Sequence, residues 1–180
     1  MRVFTITKHF KVYQSAWLKL YEELVDSGTG KPELYNKIVT FDTSHVIPIL
    51  DNGSLLMVEA YRHGAREYLL ELPGGFIESG EKPREAARRE LLEETGYTSR
   101  VMKFLTYSFT WPGRSTQKNY VFLATGLTKK SRPRLESLEI LKNVEMTKKQ
   151  ILHEIRAGRI RSASTIAAIS LGYILSGNKR

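Results

Sequence analysis

Three glutamates set the terms for this chain. Glu90, Glu93 and Glu94 fall within Pro83 to Thr95, a run that reads as a helix. Proline suits the first helical position and Gly96 the residue just past the last, although Lys82 before it is a weak N-cap. On a helix Glu90 and Glu94 lie one turn apart on the same face, with Glu93 on its flank. Like charges at that spacing destabilise an isolated helix, and a divalent cation removes the penalty. Magnesium takes oxygen ligands, commonly one or two carboxylates together with substrate phosphates. For a lone glutamate pair, a solvated acidic face would be the better reading; the surrounding residues decide otherwise.

Those residues run Gly75, five residues, Glu81, seven residues, Arg89-Glu90-Leu91, one residue, Glu93-Glu94, one residue, Gly96-Tyr97. Seven fixed identities at ordinary usage coincide by chance about once in 10⁸ start positions. The pattern resembles the Nudix box, with Tyr97 in a slot that is usually aliphatic. The resemblance implies an α/β Nudix fold, a mixed sheet sandwiched between helices. It makes Glu90 and Glu94 direct Mg²⁺ ligands, with Mn²⁺ able to substitute, and gives Glu93 a ligating or supporting role. The Gly74 carbonyl would be a further ligand. Arg89 would ion-pair within the box and orient a glutamate. Gly75 lets the backbone pass close to metal and phosphates, and Glu81 would position the loop or the helix start. The chemistry implied is attack of water on a pyrophosphate whose negative oxygens the metals neutralise, with a carboxylate taking the proton.

The flanks point to a branch. Tyr61-Arg62, then Leu70-Glu71-Leu72-Pro73-Gly74-Gly75, and Pro112 fifteen residues beyond Tyr97, resemble ADP-ribose pyrophosphatases and related nucleoside-diphosphate-sugar hydrolases. The N-terminal segment from Tyr13 through Trp17 and Gly30 to Asn36 is similar as well. The expected reaction is Mg²⁺-dependent hydrolysis of ADP-ribose to AMP and ribose 5-phosphate, with Arg62 and Glu71 contacting substrate; an arginine offers paired donors to phosphate. Phe10, Tyr13 and Trp17 are candidates for stacking on a base, although such residues singly are more often core. In this branch a glycine after the marker proline is often followed four positions later by glutamate; here Gly113 is followed by Gln117. Glutamine cannot act as a carboxylate base, which leaves room for GDP-mannose or other nucleotide sugars.

Glutamates committed to metal are poor proton acceptors, so a separate base is needed. Four acidic residues follow the box: Glu136, Glu139, Glu145 and Glu154. Relatives place an acidic loop where Glu136 and Glu139 stand, beside the basic stretch Lys129 to Leu135. Glu136 is the favoured base, then Glu139, with Glu93 next.

Elsewhere strands and helices interleave. Apolar runs at His45–Leu50 and Ser54–Tyr61 flank Asp51-Asn52-Gly53, a hairpin signal. Further strands are expected at Tyr68–Leu72, Val101–Phe109 and Tyr120–Leu127, and helices from Thr147 to Ala157 and from Ser162 to Leu175. Val12–Val25 and Leu34–Phe41 suggest a small N-terminal antiparallel sheet. Residues 1–42 are accordingly assigned to that sheet and residues 43–180 to the Nudix domain. So short a sheet leaves exposed edges, and similar proteins cover it with a second subunit, so a C₂ homodimer sharing the site is expected.

The net charge of +9 is uneven: residues 1–97 hold 12 basic and 15 acidic side chains, and residues 98–180 hold 16 and 4. A basic half attracts phosphates, but no zinc-finger or RNA-stacking motif supports nucleic acid as a partner. With no cysteine, disulfides, zinc–thiolate sites and thiol nucleophiles are excluded. No apolar run reaches the roughly 20 residues of a membrane span, so a soluble cytoplasmic protein is expected. Two other functions compete with the first: hydrolysis of dinucleoside polyphosphates or capped RNA, and a non-catalytic nucleotide-sugar sensor. The intact set of box carboxylates weighs against the sensor.

Overall fold

The computed structural model describes residues 3–134 and 141–176, with side chains described to residue 172. The chain forms two compact units. One is Met1–Asp42 with Phe109–Lys118; the other is Thr43–Ser108 with Asn119–Arg180. The sequence reading keeps 109–118 with the rest of the second unit, because nothing local in that segment reports its long-range partners.

In the first unit β1 (Thr5–Gln14), β2 (Leu18–Asp26) and β3 (Glu33–Thr40) form an antiparallel sheet in the order β1-β2-β3. The apolar stretch Val12–Val25 is therefore two strands, broken where the Ser15 hydroxyl accepts from the Trp17 and Leu18 N–H groups at 3.1 and 3.2 Å. Asp26 closes the next turn by accepting from Gly28 and Thr29, at 2.8 and 2.9 Å. The segment 109–118 docks through Ile38 N–H to the Arg114 carbonyl (2.8 Å) and Gln117 Nε2 to the Phe41 carbonyl (2.8 Å). Central β2 buries Glu23, which pairs with His9 on one neighbour and Lys37 on the other. Burial pushes the Glu23 carboxyl up, but the hydrogen bonds from Lys37 and His9 outweigh it and hold it below its ordinary value. All of β1 is exposed. Phe10, Tyr13 and Trp17 are more than half exposed, so none of them is core.

The second unit holds two sheets. One is antiparallel, with β5 (Leu55–Arg62) between β10 (Leu141–Met146) and β6 (Glu67–Glu71). The other is mixed, in the order β7-β4-β9-β8, with β4 (Thr43–Pro48), β7 (Gly74–Phe76), β8 (Tyr97–Phe109) and β9 (Lys118–Lys129). Strand β4 runs parallel to β9 and antiparallel to β7. The Asp51-Asn52-Gly53 turn forms, with Leu50 N–H on the Ser54 carbonyl at 2.9 Å and Gly53 at φ 81°. It does not make a hairpin ladder: the two runs meet at the isolated antiparallel bridge Ile49–Leu55, just past the end of β4. Both edges of β4 are already taken, by β9 along its length and by β7, continued by Val46 N–H to the Pro73 carbonyl (2.9 Å).

Helix α1 (Pro83–Thr95) covers one face of the mixed sheet, where Ala87 and Leu91 pack on Val46, Phe122 and Ala124. On the other face α2 (Lys148–Arg156) and α3 (Ala163–Ser176) contribute Ile151 and Ile169 to a core with Ile47 and Val121. Neighbouring residues of β4 thus face opposite helices, as alternation along a strand requires. Thr147 and Gln150 cap α2 reciprocally, the arrangement that satisfies otherwise orphaned N–H groups. Strand β6 is held on its outer side by Leu70 N–H to the Arg159 carbonyl (3.4 Å), and Leu72 N–H beyond it by the Thr165 hydroxyl (3.2 Å).

Candidate active site

Helix α1 starts at Pro83, where the Glu85 carboxylate accepts from the Lys82 N–H at 3.1 Å; this offsets the poor capping residue. It ends at Gly96, in the left-handed region at φ 78°. A Cβ there would sit 2.2 Å from the Ser131 carbonyl oxygen, so the segment after β9 can dock on the helix end. Lys130 N–H and Arg134 N–H donate to the Gly96 and Glu93 carbonyls, both at 2.8 Å.

The helix face carries the candidate ligands. Glu94 is 2% exposed and accepts from the Gly74 N–H at 2.8 Å. Glu90 is 8% exposed and lies against Gly75. Glu93, with 43% of its side chain exposed, sits on the flank. Arg89 organises them. Its Nε and Nη2 take both oxygens of Glu81 at 2.9 and 3.0 Å, Nη1 reaches Glu90 at 2.8 Å and Glu93 at 3.1 Å, and Nη2 also donates to the Phe76 carbonyl at 2.9 Å. All five N–H donors of the guanidinium are thus engaged. The Glu81 hydrogen bond is the largest cause that raises the Arg89 pKa, and the Arg89 hydrogen bond likewise holds the Glu81 carboxyl below its ordinary value. Arg89 ties the Gly74–Glu81 loop to the helix and sets two of the three glutamates.

Among the described residues, no three His, Asp or Glu side chains converge on a common point: Glu90 is turned to Arg89, and Glu94 to the Gly74 N–H. The donor set still fits a hard divalent cation. It is made of oxygens alone, as such ions prefer, and two of its carboxylates are buried. The backbone also leaves a cradle that a side chain would fill, since a Cβ on Gly75 would lie 2.4 Å from Glu90 Oε1. At Gly74 the crowding is with the backbone of β4, 2.3 Å from the Ser44 carbonyl oxygen.

Arg62 and Glu71, on adjacent strands, pair with each other through Nε and Oε2 at 2.6 Å. Pro112 lies exposed in a turn of the first unit, closed by Arg114 N–H to the Trp111 carbonyl at 2.9 Å. Gln117 donates to a carbonyl, which a carboxylate could not do. Glu136 and Glu139 lie outside the described residues. In the first unit, Ala16, Trp17, Leu18, Lys19, Val39 and Phe41 line an apolar recess of about 250 Å³, with Trp17 edge-on to Phe41 at 6.4 Å.

Sequence reasoning overlooks a buried polar group beneath the loop. Ser44, fully buried, donates to the Pro83 carbonyl at 2.9 Å and ties β4 to the first residue of α1. His45 Nδ1 donates to Asn119 Oδ1 at 2.6 Å, and the Thr43 hydroxyl donates to the same oxygen at 3.2 Å. The only local signals are a histidine opening one apolar run and an asparagine opening another, 74 positions apart.

A family model described as "NUDIX domain" matches residues 41–165. The chain is 31% identical over 166 residues to the ADP-ribose pyrophosphatase of Bacillus subtilis (strain 168), a match covering 92% of this chain and 89% of that protein. It is 36% identical over 125 residues to the methanol dehydrogenase activator of Bacillus methanolicus, covering 69% of this chain and 68% of the other. A crystal structure titled as an ADP compounds hydrolase superposes with a TM-score of 0.86 at 25% identity, over 98% of this chain and 96% of that one.

Proposed function

The chain belongs to the Nudix family, and from that membership we propose that it is a pyrophosphatase of nucleoside diphosphate sugars, with ADP-ribose the first substrate and AMP and ribose 5-phosphate the products. The observation that carries this reading is the meeting of the Gly74-Gly75 backbone with Glu90 and Glu94. It puts bare main chain against two buried carboxylates, which leaves room for a cation and phosphate oxygens. The names of the Bacillus subtilis relative and of the superposed hydrolase support the choice of ADP compounds. GDP-mannose and other nucleotide sugars stay within the proposal because Gln117 replaces a glutamate.

Glu90, Glu93, Glu94 and the Gly74 carbonyl would hold the cation, Mg²⁺ in this reading with Mn²⁺ able to replace it. Once bound, it would neutralise the pyrophosphate oxygens and acidify the attacking water. The chain's own residues do the rest. Arg89 keeps Glu90 and Glu93 aimed while Glu81 braces it. Arg62, braced by Glu71 through its Nε, would direct its guanidinium charge to phosphate. Gly75 admits the substrate to the loop, and Pro112 is the further substrate contact that the resemblance implies. Water adds to one phosphorus, the bridging P–O bond breaks, and the water's proton passes to a carboxylate. The exposed strand β1, with Ile6, Phe10, Val12 and Tyr13 each more than half exposed, supports a homodimer. A cytoplasmic setting, and no nucleic acid or membrane partner, belong to the same reading.

The deciding measurement is phosphate release, with a coupled phosphatase, over ADP-ribose, GDP-mannose, ADP-glucose, a dinucleoside polyphosphate and capped RNA. ADP-ribose is expected to lead. If every nucleotide sugar is inert while capped RNA is cut, the substrate assignment is wrong.

We propose Glu136 as the base, with Glu139 and then Glu93 behind it. Glu136→Gln is expected to lower kcat by about 10²-fold with little change in KM, and Glu139→Gln by less. Wild-type turnover in both would move the role to Glu93.

A further inference from the structure

Gly74 is held from two sides. Its N–H is fixed to Glu94 at 2.8 Å. Across the β4–β7 ladder it is paired with His45, and the space beside its α-carbon is closed by that residue. A Cβ on Gly74 would come within 2.8 Å of the His45 α-carbon and 3.1 Å of its Cγ. We propose that His45 is a positioning residue, whose imidazole, clamped by Asn119, buttresses the Gly74 main chain so that the Gly74 carbonyl is presented to a divalent cation. The inference rests on the metal reading above.

The clamp is chemically directed. Asn119 Oδ1 can only accept, so the 2.6 Å contact requires a proton on His45 Nδ1 and selects one tautomer. The Thr43 hydroxyl donates to the same oxygen, so its two lone pairs are committed. Asn119 is 1% exposed, and its Nδ2 is buried with no hydrogen-bond partner among the described residues. Native folds pair nearly all such groups, and an exception calls for an explanation. Here the carbonyl end of the amide is the end held, by His45 and Thr43 together. The ring is therefore an oriented wedge against the candidate ligand backbone. Partners of this kind behind a ligand ordinarily account for 10- to 100-fold in metal affinity, as a rough range.

The test measures Mn²⁺ binding to the substrate-free protein by titration calorimetry, alongside kcat and KM at saturating Mn²⁺. His45→Asn places an amide N–H where Nδ1–H stands, whereas His45→Gln keeps polarity and bulk but moves the donor away. His45→Gln is expected to weaken Mn²⁺ about tenfold, and His45→Asn to restore affinity close to wild type, with kcat at saturating Mn²⁺ changed less than affinity in both. If His45→Gln does not fold, Asn119→Ser withdraws the same acceptor and carries the same expectation. Unchanged affinity in His45→Gln would overturn the proposal. So would equal weakening by both variants, because packing and not the directed hydrogen bond would then be responsible. A wild-type protein that binds no Mn²⁺ would instead overturn the metal reading itself, and this inference with it.

Discussion

Glu94→Gln is expected to lower kcat by at least about 10²-fold, the scale of losing a metal ligand or a charge at the reacting group, while the protein stays folded. The substitution separates charge from shape. Glu94 is almost wholly buried, and one of its oxygens accepts from the Gly74 N–H. Glutamine can keep that hydrogen bond with its carbonyl oxygen, so the loop stays docked on α1. What it cannot keep is the negative charge, nor a second oxygen, since an N–H donor now stands where a cation needs a lone pair. Chelation should abolish activity in the wild type, and added Mg²⁺ or Mn²⁺ should restore it. The check is kcat and Mn²⁺ affinity against a thermal melt. Near wild-type turnover with an unchanged melt would sink the assignment of Glu94 to the metal.

Gly75→Ala is expected to cost activity out of proportion to stability. The added methyl would meet Glu90 at 2.4 Å from Oε1, 2.7 Å from Cδ and 3.0 Å from Oε2. These atoms are the far end of a flexible side chain, so the fold can yield by turning Glu90 aside at a cost of about 1 kcal/mol, that of an off-rotamer side chain. Turning it aside breaks the 2.8 Å contact with Arg89 and moves a candidate ligand. Misplacing a participating group by about 1 Å costs on the order of 10²-fold in rate. Gly74→Ala should behave differently, because its methyl would run into the Ser44 carbonyl and the His45 backbone of β4, which cannot rotate away; there stability should fall with activity. Wild-type kcat in Gly75→Ala, or a collapse of its melting temperature, would show that the contact with Glu90 does not shape the site.

The parts of this protein that the sequence determines by itself are those whose cause is local. The spacing of Glu90, Glu93 and Glu94 is helical, Pro83 and Gly96 mark the ends of that helix, and one arginine and one glutamate stand eight positions apart in a pattern too long for chance. Thr147 announces α2 in the same way. All of these follow from caps, periodicity and turn chemistry within a few residues. The tertiary structure alone decides what depends on partners far along the chain. Asp51-Asn52-Gly53 makes its turn, yet the strands on either side enter different sheets, because β9 and β7 already occupy both edges of β4. The segment 109–118 joins the first unit through hydrogen bonds to Ile38 and Phe41. Phe10, Tyr13 and Trp17 face outward although their composition suits a core. The clamp of His45 by Asn119 spans 74 positions. No local propensity encodes such a contact, since a side chain's hydrogen-bond partner is selected by which strands the whole fold brings side by side.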